Sequence, residues 1–511
     1  MDYRTRIIST FTKSRLRAID SFAHKAAEIQ HRQLMRILSR AANTVVGDRY
    51  RFGNIDSLEA FARRVPIHDY ESLQEEIELM LRGSKDVLCS GRCLWFAKSS
   101  GTTNSKSKFI PVPANHLHDC HYQGSRDTLW LYLRNRPDSR FFATKALVLG
   151  GSHSSVAMGG KDIKAGDLSA ILVENMPWLG NSVRVPSKQT LLMSEWTEKM
   201  QAVIREVAHA RVGSLSGVPS WVLVMIKELL AAQNCKTLSD LWPELEVFFH
   251  GGISFSPYKA QYEKLIPSSR MQYMETYNAS EGFFAIQDDP QDSGLLLMLD
   301  YGVYYEFVPM DTFGSAHAEA VPLEGVDLGC NYAMLISTLG GLYRYVLGDT
   351  VRFTSLRPYK IVITGRTKHY INAFGEELMV DNADKALASA CKRCGAQIVD
   401  YTAAPHFFPE EGKGRHDWLI EFAVEPTDPM EFARVLDAEL QQLNSDYEAK
   451  RYADMTLLPL SLTVARRGLF HDWLAEQGKL GGQHKIPRLS NTPEIITSIL
   501  EMNSRPYTQS Q

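Results

Sequence analysis

The sequence predicts an α/β protein in two parts, a large N-terminal part of residues 1-362 and a small C-terminal part of residues 363-511. Three observations carry this. A chain of 511 residues is too long for a single hydrophobic core. Strand-like runs at 146–149 and 246–249 alternate with helical stretches at 195–210 and 221–232, the pattern of an α/β sheet. After a further strand at 360–364, a separate α/β pattern begins at Gly365-Arg366, where the boundary is placed.

Residues 1 to about 85 read as helices. Ala26, Ile29, Leu34, Ile37 and Leu38 recur at helical spacing, and Ser57 stands where it would cap a helix beginning at Leu58. The basic residues Arg4, Arg6, Lys13, Arg15 and Arg17 imitate a transit peptide, but Asp2 and Asp20 interrupt them, so a surface helix is expected. The two runs at 146–149 and 246–249 end in Gly150-Gly151 and Gly251-Gly252, bare backbone at the carboxyl edge of a sheet, where α/β folds bind ligands. Alternating aromatic and aliphatic positions at 295–308 and 332–353 predict hairpins, forming a small sheet or barrel packed on the main one. In the C-terminal part, helices are expected at 383–391 and 430–443 and a strand at 418–424.

Composition excludes several classes. The formal net charge of -3 offers no basic surface for nucleic acid or anionic membranes. The longest apolar run, 221–230, is interrupted by Lys227 and falls short of the ~20 residues a bilayer requires. Seven scattered cysteines predict reduced thiols and a cytoplasmic setting. Cys391 and Cys394 form a lone C-x-x-C without a second pair. His116, His118, Cys120 and His121 spread around a regular helix, which favours a solvated or partly packed helix over metal binding.

Residues 99–111 read SSGTTNSKSKFIP, a set of hydroxyls and a glycine followed by Lys106 and Lys108. Hydroxyls and closely spaced backbone N–H groups surround phosphate oxygens, Gly101 permits close approach, and a lysine supplies charge. It is no Walker loop: the nearest imitation, Gly160-Lys161, has Ser155 for the leading glycine and Asp162 for the hydroxyl residue. A serine hydrolase is disfavoured because GSLSG at 213–217 places Leu215 at the nucleophile position, and no G-x-G-x-x-G follows a strand. The loop style is that of enzymes that join ATP to a carboxylic acid.

Six motifs occur in order: SSGTTNSKSKFIP, HGGISFSPY at 250–258, ETYNASEGFF at 275–284, GLYRYVLGD at 341–349, TGRTKHYINAFGEEL at 364–378 and GGQHKIPRL at 481–489. Together they resemble the Gretchen Hagen 3 acyl-acid amido synthetases, the bacterial branch in particular, within the adenylate-forming superfamily of acyl-CoA ligases, adenylation domains and luciferases. The resemblance implies a large adenylating domain of sheets with a β-barrel-like subdomain and surrounding helices, a small mobile α/β domain, and ATP with Mg2+ as cofactors. Two departures stand out: Ser105 occupies a position where the family pattern has glycine, and Val346 one where plant members have arginine.

The resemblance assigns roles residue by residue. Ser99, Ser100, Gly101, Thr102 and Thr103 would hold the β- and γ-phosphates, with Lys108 offsetting charge on departing pyrophosphate. Glu281 would ligate Mg2+, which keeps several waters and needs few protein carboxylates. Tyr277 would lie beside the adenine or the α-phosphate, Ser280 would reach a phosphate oxygen, and Gly251 and Gly252 would face the purine. Asp349 would accept hydrogen bonds from the ribose, although Gly348-Asp349 also reads as a hairpin turn between 342–347 and 350–353. Arg366 would touch the ribose or a phosphate and mark the hinge near Gly365-Arg366, and the stretch 372–377 would face the site in one rotational state or form a plain hairpin tip. Lys485 would stabilise charge developing on the α-phosphate.

The expected reaction has two steps. A carboxylic acid, of aryl or indole type, becomes an acyl-adenylate, and an amine, that of an amino acid, then displaces AMP. Trp130, Tyr132, Trp178 and Trp221 are candidates for an aromatic acid pocket, although core packing explains them as well. Partners are therefore a small-molecule carboxylic acid and an amino acid, with no nucleic acid and no membrane, in a monomer or weak homodimer. The alternatives are an acyl-CoA ligase using the same adenylate and a nucleotide-binding protein without turnover.

Overall fold

The computed structural model describes residues 5, 12–99, 108–151, 163–193, 196–252, 255–315, 317–367, 370–376, 378–408, 410, 412–477 and 486–504. These form two compact units. The larger takes in the described chain up to Thr367 apart from residues 255–262, and the smaller comprises 255–262 with the chain after Thr367.

The larger unit opens with helices whose apolar faces turn inward. In the helix Phe22–Ala41, Ile29, Leu34, Ile37 and Leu38 are buried, as their spacing requires. The Ser57 hydroxyl accepts the Ala60 N–H at 3.2 Å and so starts the helix Leu58–Arg64. Gln30 is buried and reads the sheet backbone: its amide nitrogen donates to Leu299 O and Val303 O, and its oxygen accepts from Tyr305 N–H. The expected surface helix is Lys13–Asp20, but Arg15 turns inward and bridges Asp127 and Asp300.

Fifteen strands follow among the described residues of this unit. They are β1 (Trp95–Ser99), β2 (Lys108–Pro111), β3 (Lys145–Val148), β4 (Lys164–Gly166), β5 (Arg184–Val185), β6 (Val212–Gly217), β7 (Val247–Gly251), β8 (Gln272–Ala279), β9 (Gly282–Ile286), β10 (Leu295–Leu297), β11 (Val303–Pro309), β12 (Val321–Pro322), β13 (Asn331–Thr338), β14 (Tyr345–Leu356) and β15 (Tyr359–Arg366). Strands β2, β1 and β4 make a small sheet. The other twelve form one ladder in the order β12-β11-β13-β14-β15-β10-β9-β8-β7-β6-β3-β5. From β5 to β8 neighbours run parallel, with the helices Trp196–Val207 and Pro219–Gln233 as connections; from β8 onward every pairing is antiparallel. The β-rich stretch, expected as a sheet or barrel packed on the main one, is instead hydrogen-bonded into it through β9–β10 and β10–β15.

Gly348 and Asp349 do not form a hairpin turn. Both lie inside β14, where Leu347, Gly348 and Asp349 face the single residue Met334 between the pairs Leu335–Val346 and Ala333–Thr350. This is a bulge, and Gly348 makes it possible with φ of +95°. The strand is anchored just upstream by Arg344, a non-glycine residue with φ of 44°. Its guanidinium pairs with buried Glu306 and donates to Ala62 O and Val65 O at the end of a helix.

In the smaller unit, β18 (Gln397–Phe408), β19 (Lys413–Val424) and β20 (Ser461–Ala465) form a sheet, antiparallel then parallel. The helices Val380–Cys394 and Pro429–Leu443 occur where helices were expected. Short strands β16 (Tyr370–Ile371) and β17 (Leu378–Met379) pair on either side of the stretch 372–377. Within it Glu376 is fully buried, accepting from Phe374 N–H at 2.6 Å and lying 2.8 Å from Nε2 of equally buried His416.

Arg344→Met keeps length and removes charge, leaving Glu306 buried without its partner. The expected loss is about 3–5 kcal/mol, read as a lower urea midpoint for unfolding of the larger unit; an unchanged midpoint rejects the anchoring role.

Candidate active site

The site builds from the hairpin of β8 and β9. Ala279 pairs with Gly282, so Ser280 and Glu281 are the two residues of the turn. A glutamate in a tight turn normally faces water, yet Glu281 is only 7% exposed. Burial pushes its carboxyl above the ordinary value, while the nearby charges of Lys108 and Arg366 draw it back. Its carbonyl accepts the Nε2 proton of buried His116 at 2.9 Å. Burial lowers the His116 pKa to about 4, so the imidazole is a neutral donor fixed in one tautomer.

Asp349 provides the second carboxylate. Tyr277, on β8, donates its hydroxyl to Oδ2 at 2.6 Å, and Arg366 meets Oδ1 through Nε at 2.6 Å. The latter contact follows from register, since Asp349 and Arg366 are paired residues of β14 and β15. Each carboxylate oxygen retains a lone pair for a further donor. The Tyr277 ring is buried against Phe284, with centroids 5.1 Å apart.

Lys108 opens β2 opposite Ser99, which ends β1. Its ammonium lies 5.6 Å from the centre of the Tyr70 ring, whose hydroxyl accepts the Phe109 N–H at 2.9 Å. Gly251 ends β7 beside Thr276 of β8, and a Cβ there would stand 2.3 Å from the Thr276 carbonyl oxygen. Glycine is thus required by the close approach of two strands. Gly252 follows directly. Gly150 and Gly151 have a different setting: their carbonyls accept from the buried Lys199 ammonium at 2.7 and 3.2 Å.

The structure therefore brings together Lys108, Tyr277, Ser280, Glu281, Asp349 and Arg366, with Gly251 and Gly252 at the adjoining strand end. Ser99 is described as backbone; Ser100, Gly101, Thr102, Thr103 and Lys485 lie outside the described residues. The four candidate aromatics do not share one setting. Tyr132 is a core residue packed edge-on to Phe249, whereas Trp178 is 76% exposed.

The histidine cluster also differs from a regular helix. Between the helices Ala114–His116 and Gln123–Asn135 the chain winds as a π-helix over Leu117–Tyr122. This wider turn brings His116 and His121 edge to face at 5.1 Å, and Cys120 Sγ accepts the Phe283 N–H at 3.1 Å. These side chains support the Glu281 turn, a role that no periodicity in the sequence signals.

No group of three or more metal-ligating side chains occurs among the described residues. A single buried carboxylate near a lysine fits a magnesium ion that takes its other oxygens from phosphates and water, and Glu281 is the residue that would hold it.

Family models match successive parts of the chain: the GH3 family N-terminal domain over residues 15–271, the GH3 family central domain over 296–366 and the GH3 family C-terminal domain over 381–494. Together the matches span most of the chain, and the chain belongs to the GH3 family. The probable indole-3-acetic acid-amido synthetase GH3.1 of Arabidopsis thaliana is 21% identical, with 94% of this chain and 92% of that protein covered. The 4-substituted benzoates-glutamate ligase GH3.12 of the same plant is 23% identical over 90% and 92%. Among solved structures, AtGH3.15 acyl acid amido synthetase in complex with 2,4-DB superposes with a TM-score of 0.62 at 19% identity, covering 97% of this chain and 96% of that one. A 2-hydroxyisobutyryl-CoA ligase in complex with 2-HIB-AMP and CoA gives 0.56 at 12% identity over 94% and 92%. Both share the fold. No helix among the described residues is long and apolar enough to cross a membrane.

Beside Gly251, burial lowers the His250 pKa to about 3. In the unfolded chain this imidazole takes up a proton near pH 6.5, while the folded form stays neutral, so acidification favours unfolding. Stability is expected to fall as pH drops from 6.5 towards 3, and the slope should shrink by up to one proton in His250→Gln. Equal slopes for the two proteins in pH-dependent urea titrations would contradict this.

Proposed function

We propose that the protein is an ATP-dependent acyl-acid amido synthetase, a ligase that forms a carbon–nitrogen bond. The observation that carries the reading is the meeting of two buried carboxylates in one unit, Glu281 in charge reach of Lys108 and Asp349 tied to Tyr277 and Arg366. In this reading Asp349, its orientation held by Tyr277 and Arg366, accepts the ribose hydroxyls. Glu281 holds the magnesium ion, which when bound screens phosphate charge and orients the polyphosphate. Lys108 offsets charge on the pyrophosphate as it leaves, and the residues Ser99, Ser100, Gly101, Thr102 and Thr103 align the phosphates by hydrogen bonds. Gly251 and Gly252 face the purine, and Ser280 reaches a phosphate oxygen.

The acid's carboxylate then attacks the α-phosphorus, pyrophosphate departs, and an amine displaces AMP from the acyl-adenylate. Relatives named as indole-3-acetic acid-amido synthetases and as a benzoates-glutamate ligase support an aryl or indole acid and an amino acid as the partners. The chain passes into the smaller unit directly after Arg366 and Thr367, which supports a hinge near Gly365-Arg366 between residues 1-362 and 363-511. Lys485, within the part beyond that hinge, stabilises charge on the α-phosphate during the first step. A cytoplasmic setting, a bacterial source and a monomer or weak homodimer complete the proposal.

The rival reading is a CoA ligase, favoured by the shared fold of the 2-hydroxyisobutyryl-CoA ligase. Incubation with Mg·ATP, a panel of aryl and indole acids, and either amino acids or CoA should yield an amide; thioester without amide selects the rival. Lys485→Ala should lower acid-dependent pyrophosphate release by roughly 100-fold or more while ATP binding persists. Normal release by this variant would remove Lys485 from the mechanism.

A further inference from the structure

One crevice of the larger unit belongs to none of the roles above. Its volume is about 310 Å³, the size of a site for a small organic molecule. It opens where the end of the helix Phe22–Ala41 meets the loop after Leu88, the helix start at Ala114 and the residues that finish β13.

Backbone contacts fix its walls. Asp86 N–H donates to Gly91 O at 3.0 Å and the Asp86 carboxylate accepts the Gly91 N–H at 2.6 Å, which closes the loop on itself. Val45 and Val46 N–H donate to Asp86 O and Val87 O at 2.8 and 3.2 Å, tying that loop to the helix that Val45 begins. Gly341 has φ of +98°, and a Cβ there would stand 2.7 Å from the Leu88 Cβ. The Tyr343 hydroxyl donates to Leu88 O, so its ring is held in place as well. The crevice is formed without a ligand to shape it.

The lining has two characters. Ile37, Leu339 and the Tyr343 ring are buried and supply an apolar floor. Arg40 and Arg92, both exposed, bring two positive charges to the same crevice. Asn115 spends its side-chain oxygen on the His116 N–H at 3.0 Å, which leaves its amide N–H groups as donors. No carboxylate lines the crevice among the described residues, and Arg40 forms no ion pair among them. Guanidinium groups recognise planar oxyanions through paired hydrogen bonds.

We propose that this crevice is a second binding site, one for an organic anion. A carboxylate or sulfonate group meets Arg40 and Arg92, and an apolar body lies against Ile37, Leu339 and Tyr343. Inorganic phosphate would leave the floor unfilled, and an uncharged hydrocarbon would leave the arginines unanswered. None of the residues assigned to the nucleotide lines the crevice, so the protein holds this anion and Mg·ATP together.

Fluorescence titration with anilinonaphthalene sulfonate, in saturating Mg·ATP, tests the site. Saturable binding of the probe is expected, with affinity lowered about tenfold in Arg40→Gln and in Arg92→Gln, the scale of a hydrogen bond to a charged oxygen. Arg40→Lys keeps the charge and should stay within about threefold of the wild type. Sodium sulfate should displace the probe no better than sodium chloride of equal ionic strength. Both glutamine variants should unfold at the wild-type temperature, because the two arginines are exposed. Displacement of the probe by Mg·ATP overturns the proposal, as does wild-type affinity in both glutamine variants. Specific displacement by sulfate, which has no apolar body, overturns the assigned ligand class. A tenfold loss in Arg40→Lys, or a lower unfolding temperature in both glutamine variants, shows a structural role for the arginines and overturns it too.

Discussion

The site hangs from one constraint, the two-residue turn that joins β8 to β9. At this hairpin the ladder changes from parallel to antiparallel, so the turn marks the junction of the two halves of the sheet. A turn of two residues leaves Glu281 little choice of direction, and the surrounding chain covers it. A carboxylate held in that position costs free energy unless charge of opposite sign is near. Lys108 from β2 and Arg366 from β15 supply it, which ties a small separate sheet and the antiparallel half of the main ladder to the same point.

Around that point the protein devotes ordinary structural devices to positioning. The π-turn at Leu117–Tyr122 lets His116 and Cys120 reach the backbone of Glu281 and Phe283. The bulge in β14 keeps Asp349 paired with Arg366 while releasing it from β13. Buried Arg344 fixes the start of the same strand by pairing with Glu306 and closing a helix end. None of these contacts is long-range electrostatics; each is a short hydrogen bond or ion pair between elements distant in sequence, made dependable by burial.

Much of this was legible before any coordinates. The cap at Ser57, the inward stripe of the helix Phe22–Ala41, and the strands at β3, β7 and β15 follow from residue spacing and turn chemistry, which act locally. Motif order pointed to Glu281, Asp349 and Arg366, and the structure brings the three together. Other readings were open because one residue pattern serves two geometries. Gly348 suits a hairpin turn and a bulge equally, since both require its positive φ. His116 and His121 separate on a regular helix and meet on a π-turn. The aromatic residues Tyr132 and Trp178 share a composition and differ in fate, one in the core and one at the surface, because periodicity does not say which neighbours a segment meets.

By itself, the sequence determined the α/β character, the family and the chemical types present: hydroxyls, lysines and carboxylates in six ordered motifs. Local propensity and motif order suffice for these because they depend on residues a few positions apart. Only the tertiary structure decided that the antiparallel strands extend the parallel ones in a single ladder, and that Tyr277 and Arg366 divide the two oxygens of Asp349. Those outcomes rest on strand order and register, and pairing between segments far apart in the chain, as in Tyr277 with Asp349, leaves no trace in local sequence.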